Sequence, residues 1–237
     1  MPPSTCQAAA PSGLPLRYPT TLIDARWLSG PRRLLLRPVL PQDAHLLSAL
    51  VLAQSAQARR NRFHSTVKPS TALCQQMSQV DYRQHLALVV CSMAGGVEQV
   101  VADARYSVAA NGLSAELALM VDERWQRQGI GCWALLALQQ AAANAGLTWL
   151  EGEVLQGNDA MLGLAQRCGF ACTPGSQDER VVRVRRHVAA PHANAAGTKA
   201  AHPPPRPLQR LGHRLGQRLA RALARSPRAP SPVLRAL

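Results

Sequence analysis

The sequence predicts a mixed α/β (α+β) fold, with a central sheet of six to seven strands flanked by helices. Three observations carry this. Strand-like and helical runs alternate in the order β, α, α, β, β, β, α, β, α, β. Asn111-Gly112 sits between two strand runs, 98–108 and 114–122, and marks an antiparallel hairpin. A long Ala/Leu-rich run, 132–145, then separates that hairpin from a further strand, which gives one parallel crossover.

Residues 1–17 are rich in Pro, Ser and Ala and predict a loose segment. "RRLLLRPVL" (32–40) is the first strand. "PQDAHLLSALVLAQ" (41–54) follows as a helix, with Asp43 as its cap and Leu46, Leu47, Leu50 and Leu52 as its apolar face. The Arg-rich "ARRNRFHSTVKPS" (58–70) predicts a loop or broken helix, and 70–80 a short helix capped by Ser70. "LALVVCSM" (86–93) is a buried strand ended by Gly95-Gly96, and the hairpin of 98–122 comes next. Gly146 closes the long helix, and "TWLEGEVL" (148–155) alternates as a strand. "NDAMLGLAQRC" (158–168) is a helix stopped by Gly169, and "ERVVRVRR" (179–186) is the last strand.

Charge divides the chain. Residues 187–237 hold nine Lys/Arg and no acid, whereas the first 186 carry eighteen bases against thirteen acids, so the net +14 belongs mainly to the tail. A basic tail attracts polyanions in general and says nothing of fold. The six cysteines lack zinc-site spacing, so no metal site is expected and they read as small buried hydrophobes or free thiols in a reducing cytosol. No run approaches the ~18 apolar residues of a membrane span, and no secretory leader pattern opens the chain. The expectation is a cytoplasmic protein without a transmembrane segment.

"ERWQRQGIGCW" (123–133) lies at the joint between a strand and a helix. The first amides of a helix have no intrahelical acceptor and carry the positive end of its dipole, so an anion can bind there. Glycines at Gly129 and Gly131 allow a close approach, and Gln126, Arg127, Gln128 and Ile130 complete the loop. No Gly-Lys-Ser/Thr follows, and Ala134 stands where a dinucleotide fingerprint needs its third glycine, so neither of those motifs applies. A diphosphate is the natural ligand for such a loop, although a glycine-containing strand-to-helix turn more commonly holds none.

Gln-x-x-Gly-x-Gly after "AELALMV", followed by "GEVLQGNDAMLGLAQRCGF", resembles the Gcn5-related N-acetyltransferase (GNAT) superfamily. The chain is most similar to the acetyltransferase domain of bacterial protein lysine acetyltransferases. Supporting segments run in family order over 18–186: "YPTTL", "LRPVLPQDA", "RFHSTVKPS", "MSQVDYRQHLALVV", the glycine loop, "NDAM" and "CGF". The acyl-CoA-synthetase-like region that often accompanies such domains has no counterpart in these residues, so nucleotide-dependent regulation is not expected to carry over.

The resemblance implies an acyl-CoA N-acyltransferase fold over 18–187, with acetyl-CoA as co-substrate and protein lysine side chains as acceptors. It implies Glu116 as the carboxylate that deprotonates the amine, against the plain reading of a solvent-facing strand residue. It implies that a backbone amide near Met120 and Val121 polarises the thioester, and that Asn158 contacts the CoA arm. Asn158 is equally an ordinary helix N-cap. Many relatives protonate the leaving thiolate with a tyrosine where this chain has Ala165. The protein-acetylating branch lacks that tyrosine as a rule, and a thiol is acidic enough to leave without dedicated help. Arg59, Arg62 and His64 read as substrate-side or phosphate contacts, or as a solvated basic loop, and Cys132 as a packing residue.

In the tail (188–237), residues 206–225 put five leucines on one helical face beside an arginine stripe, with Gly212 and Gly216 weakening the helix. Such a segment suits an anionic partner, whether membrane, nucleic acid or ribosome, and equally a disordered extension. Two other functional readings stay open: a non-catalytic acyl-CoA-binding module docked by its tail, and a small-molecule amine acetyltransferase.

Overall fold

The computed structural model describes residues 17–28, 32–65, 70–94, 96–175 and 180–188. Almost all of the segment expected to be loose at 1–17 and of the basic tail, including the helix expected at 206–225, lies outside them. The strands are β1 (Asp24–Trp27), β2 (Arg33–Pro38), β3 (His85–Ala94), β4 (Val97–Val108), β5 (Ser114–Val121), β6 (Trp149–Leu155), β7 (Ala171–Pro174) and β8 (Val181–His187). The helices are α1 (Ala44–Ala53), α2 (Ala56–Phe63), α3 (Thr71–Ser78), α4 (Ile130–Asn144) and α5 (Asp159–Arg167). Among the described residues, one sheet of eight strands runs β1-β2-β3-β4-β5-β6-β8-β7. Its single parallel pair is β5–β6, joined by the α4 crossover.

The eight strands exceed the expected six to seven because β1 and β7 are four-residue edge strands. "DARW" and "ACTP" are too short to show alternation, and Pro174 is tolerated because an edge strand has no further neighbour to serve. At the expected hairpin, Asn111 Oδ1 accepts the amides of Leu113 and Ser114, both at 3.0 Å, and Gly112 takes φ +67°.

Each face of the sheet carries its own core. On one, α4 buries Ile130, Trp133, Leu135 and Leu138 against Leu88, Val90, Ala104, Leu117 and Leu150. On the other, Leu47, Leu50 and Val51 of α1, Phe63 of α2, and Leu73 and Met77 of α3 cover Val89, Val100 and Met120. β4 is therefore buried on both sides from Val100 to Tyr106, and its polar residues must satisfy each other. Arg105 does so, donating to both oxygens of Asp103 at 2.9 and 2.6 Å.

Three local expectations are corrected. Residues 56–63 form a regular helix, capped by Ser55 Oγ on the Ala58 amide at 3.1 Å, where a loop or broken helix was the reading. Its run of arginines hides the periodicity, because one of the two residues it buries is Arg62. Asp43 does not cap α1 through its side chain. Its carboxylate instead takes Arg37 at 2.7 and 2.9 Å and the Leu40 amide at 2.7 Å. The buried face of α1 is Leu47, Leu50 and Val51, and Leu52 is exposed.

Candidate active site

β5 and β6 pair only where Ser114–Glu116 meets Trp149–Glu151. Gly152 lets the strands come this close: a Cβ there would lie 3.2 Å from the Leu117 carbonyl oxygen. Past that row the strands part, and the inner edge of β5 no longer pairs with β6. The opening is a cavity of about 690 Å³, walled by Glu116–Val121 of β5, Gly152–Val154 of β6 and the starts of α4 and α5. Residues of α2 and its C-terminal end close the far side.

The floor at α4 follows from local sequence. Asp122 accepts the Arg124 amide at 2.9 Å and starts a 3-10 turn, Glu123–Trp125. Arg124 reaches back to the same carboxylate at 2.6 Å, and these bonds hold Asp122 below the usual carboxylate range. The chain then enters the left-handed region at Arg127 (φ +60°) and Gly129 (φ +81°) before α4 begins at Ile130. Glu123 ties this loop to α2, accepting the Ser55 amide at 2.8 Å and the Ser55 hydroxyl at 2.9 Å. Both glycines have reasons inside the chain. Gly129 supplies the positive φ, and a Cβ on Gly131 would lie 3.0 Å from Leu164 Cδ2. Their effect is to leave the first amides of α4 beside the cavity without side-chain cover.

Glu116 is half-buried on the cavity wall. It pairs across the sheet with Ser107, as Ala118 does with Arg105 and Met120 with Asp103, so these six residues share one face. Arg62 of α2 lies on the same side, its side chain 4% exposed, with Nη2 3.7 Å from Asp103 Oδ2. Its Nε and Nη2 have no hydrogen-bond partner among the described residues. Burial lowers the guanidinium to about 10, while Asp103 and, less strongly, Glu116 sustain its charge.

Of the ten residues expected at the site, the cavity gathers Glu116, Met120, Val121, Gln126, Arg127, Gly129, Gly131 and Asn158. Gln128 and Ile130 do not line it. Gln128 is exposed and donates to the Arg124 carbonyl at 3.4 Å, and Ile130 is buried in the core under α4. Asn158 both lines the cavity and caps α5, accepting the Met161 amide at 3.3 Å. Arg62 and His64 are cavity residues, whereas Arg59 bonds the Gln54 carbonyl instead. Cys132 lies on the wall with its sulfur 3.4 Å from that of Cys168, whose thiol burial pushes up to about 12.

None of the three tyrosines lines the cavity; Tyr18 and Tyr82 hydrogen-bond the carbonyls of Pro38 and Val39. The sequence reading missed Gln54, Asn61, Glu153 and Arg167 on the cavity wall. Glu153 had a signal: it is the outward residue of an alternating strand next to the one that holds Glu116.

A family model described as an acetyltransferase (GNAT) domain matches residues 33–171. Acetyltransferase Pat of Mycolicibacterium smegmatis (strain ATCC 700084 / mc(2)155) is 34% identical over 135 residues, which is 56% of this chain and 40% of that protein. The match thus spans less than half the length of that relative. The crystal structure of the GNAT domain of S. lividans PAT is similar with a TM-score of 0.63 at 23% identity, covering 72% of this chain and 99% of that one. RimL, a ribosomal L7/L12 alpha-N-protein acetyltransferase solved in complex with coenzyme A, gives 0.54 at 16% identity, covering 70% and 98%. At these identities the two structures speak for the shared fold.

Proposed function

Since this chain belongs to the GNAT acetyltransferase family, we propose that it transfers an acetyl group from acetyl-CoA to protein lysine side chains, with Glu116 as general base. The observation that carries the reading is that one cavity holds both a carboxylate and the uncovered N-terminus of α4. The loop Gln126–Gly131 with Arg127 suits the pyrophosphate, and Asn158 the CoA arm. The unpaired inner edge of β5 near Met120 and Val121 supplies backbone amides to polarise the thioester carbonyl.

Glu116 takes a proton from the incoming ammonium, and the freed amine attacks the carbonyl carbon. The C–N bond forms, the nitrogen sheds its surplus proton to solvent, the C–S bond breaks, and the CoA thiolate leaves to take a proton from solvent. With Ala165 in place of a tyrosine, no side-chain acid is assigned to that last step. The acetyltransferase domain is taken as residues 18–187 of a cytoplasmic protein, and the basic tail 188–237 as an extension toward an anionic partner.

Calorimetric titration of the full chain with acetyl-CoA, beside a mass-spectrometric assay for lysine acetylation, tests the reading. Glu116→Gln is expected to keep acetyl-CoA binding within about twofold and to lose transfer by about 100-fold or more, in line with general-base contributions. Binding without transfer in the unmodified protein would leave an acyl-CoA-binding module instead. Transfer to free amines but never to protein lysine would move the acceptor to small molecules.

A further inference from the structure

Arg62 is the group in this cavity whose placement is hardest to explain by folding alone. A buried guanidinium with Nε and Nη2 unbonded among the described residues opposes stability, and Asp103 does not need it, since Arg105 already binds both oxygens of that carboxylate. At these two nitrogens Arg62 contributes charge rather than hydrogen bonds, and the charge lies on the cavity side that carries Glu116.

The neighbours of Glu116 define the balance. Ser107 stands opposite it on β4, with Arg105 and Asp103 further along the same face. Glu151 stands opposite on β6, where Arg185 answers it at 3.8 Å, and Glu153 is paired across the sheet with Arg183. Arg62 and His64 approach from α2. Arg62, Arg105, Asp103 and Glu116 sum to zero when Glu116 is ionised. Protonating Glu116 leaves a net positive charge in a half-buried place, which is unfavourable.

We propose that Arg62 is a positioning residue for catalysis: its buried charge keeps Glu116 ionised to receive the amine proton and favours release of that proton to solvent afterwards. The inference rests on the reading of Glu116 as base. It gives a reason for a cation that folding would do better without, because function can retain a group that costs stability.

The test is a carbon-13 NMR titration of the glutamate carboxyls in the full chain, with the Glu116 signal assigned by its loss in Glu116→Gln. In Arg62→Met and Arg62→Gln the Glu116 midpoint should rise by roughly one pH unit or more, while Arg62→Lys stays near the unmodified protein. Both neutral variants should melt at or above the unmodified temperature, and the acid limb of kcat/KM with a lysine peptide should move with the midpoint. An unmoved midpoint in either folded variant overturns the proposal. So does a failure of both neutral variants to fold, which would make Arg62 structural. Because the midpoint needs no turnover, the two failures are distinct: a fully active Glu116→Gln removes the base reading and any catalytic role for Arg62, whatever the midpoint.

Discussion

Glu116 stands directly across from Glu151 in the last paired row of β5 and β6, and beyond that row the strands separate. The two carboxylates differ in what surrounds them. Glu116 is on the cavity wall, whereas Glu151 is not and has Arg185 at 3.8 Å. Glu151→Gln should therefore retain transfer within about threefold, against the loss of about 100-fold or more expected for Glu116→Gln. Equal losses in the two variants, measured as kcat/KM with a lysine peptide, would remove the distinction.

Gly129 has nothing within 4 Å of a would-be Cβ, so its role is conformational alone. Gly129→Ala should cost about 1–2 kcal/mol in urea unfolding, the left-handed penalty for a residue with a side chain. Acetyl-CoA should bind more weakly as the loop relaxes toward an ordinary φ. Unchanged stability would mean that the loop adopts another conformation.

At the start of α5, capping and ligand contact can be separated by charge. Asn158→Ala should lose about 1 kcal/mol of stability, as cap deletions do. Asn158→Asp keeps a good cap and should keep the stability, yet it sets a carboxylate beside an anionic ligand. Its acetyl-CoA affinity should fall in calorimetry, and an unchanged affinity would reduce Asn158 to a cap.

Asp122 gives the loop its pH dependence. Its side-chain bonds to Arg124, aided by the Arg124 amide, hold its carboxyl below the ordinary value despite burial. A group depressed in the folded state adds stability above its unfolded pKa, ~3.9, and loses it as pH falls through the folded one. Urea midpoints from about pH 6 down to about pH 3 should thus fall more steeply in the unmodified protein than in Asp122→Asn. Parallel curves would show that another carboxylate governs the acid limb.

Where a periodic pattern was present, the fold was legible: β2 to β6, β8, α1 and α3 to α5 all fall within a few residues of their expected places. What escaped had no pattern to read. β1 and β7 are four residues long, and α2 presents arginines where an apolar stripe would announce a helix. The glycine loop and Glu116 were legible because their residue types stand out against an apolar background. Gln54, Asn61 and Arg167 were not, because their nearness to the cavity comes from α1, α2 and α5 packing over the gap, a long-range relation that no local spacing encodes. Gln128 and Ile130 belong to the same loop but turn their side chains away from the cavity, because loop membership does not settle where a side chain points.

Two hydrogen bonds donated by Ser55 to Glu123 join the two lips of the cavity, the glycine loop to the start of α2. Whatever steadies the loop steadies α2 as well, and with it the place from which Arg62 acts. On the proposed function, acetyl-CoA seated on the loop would also hold α2, and Arg62 with it, in place for the acceptor.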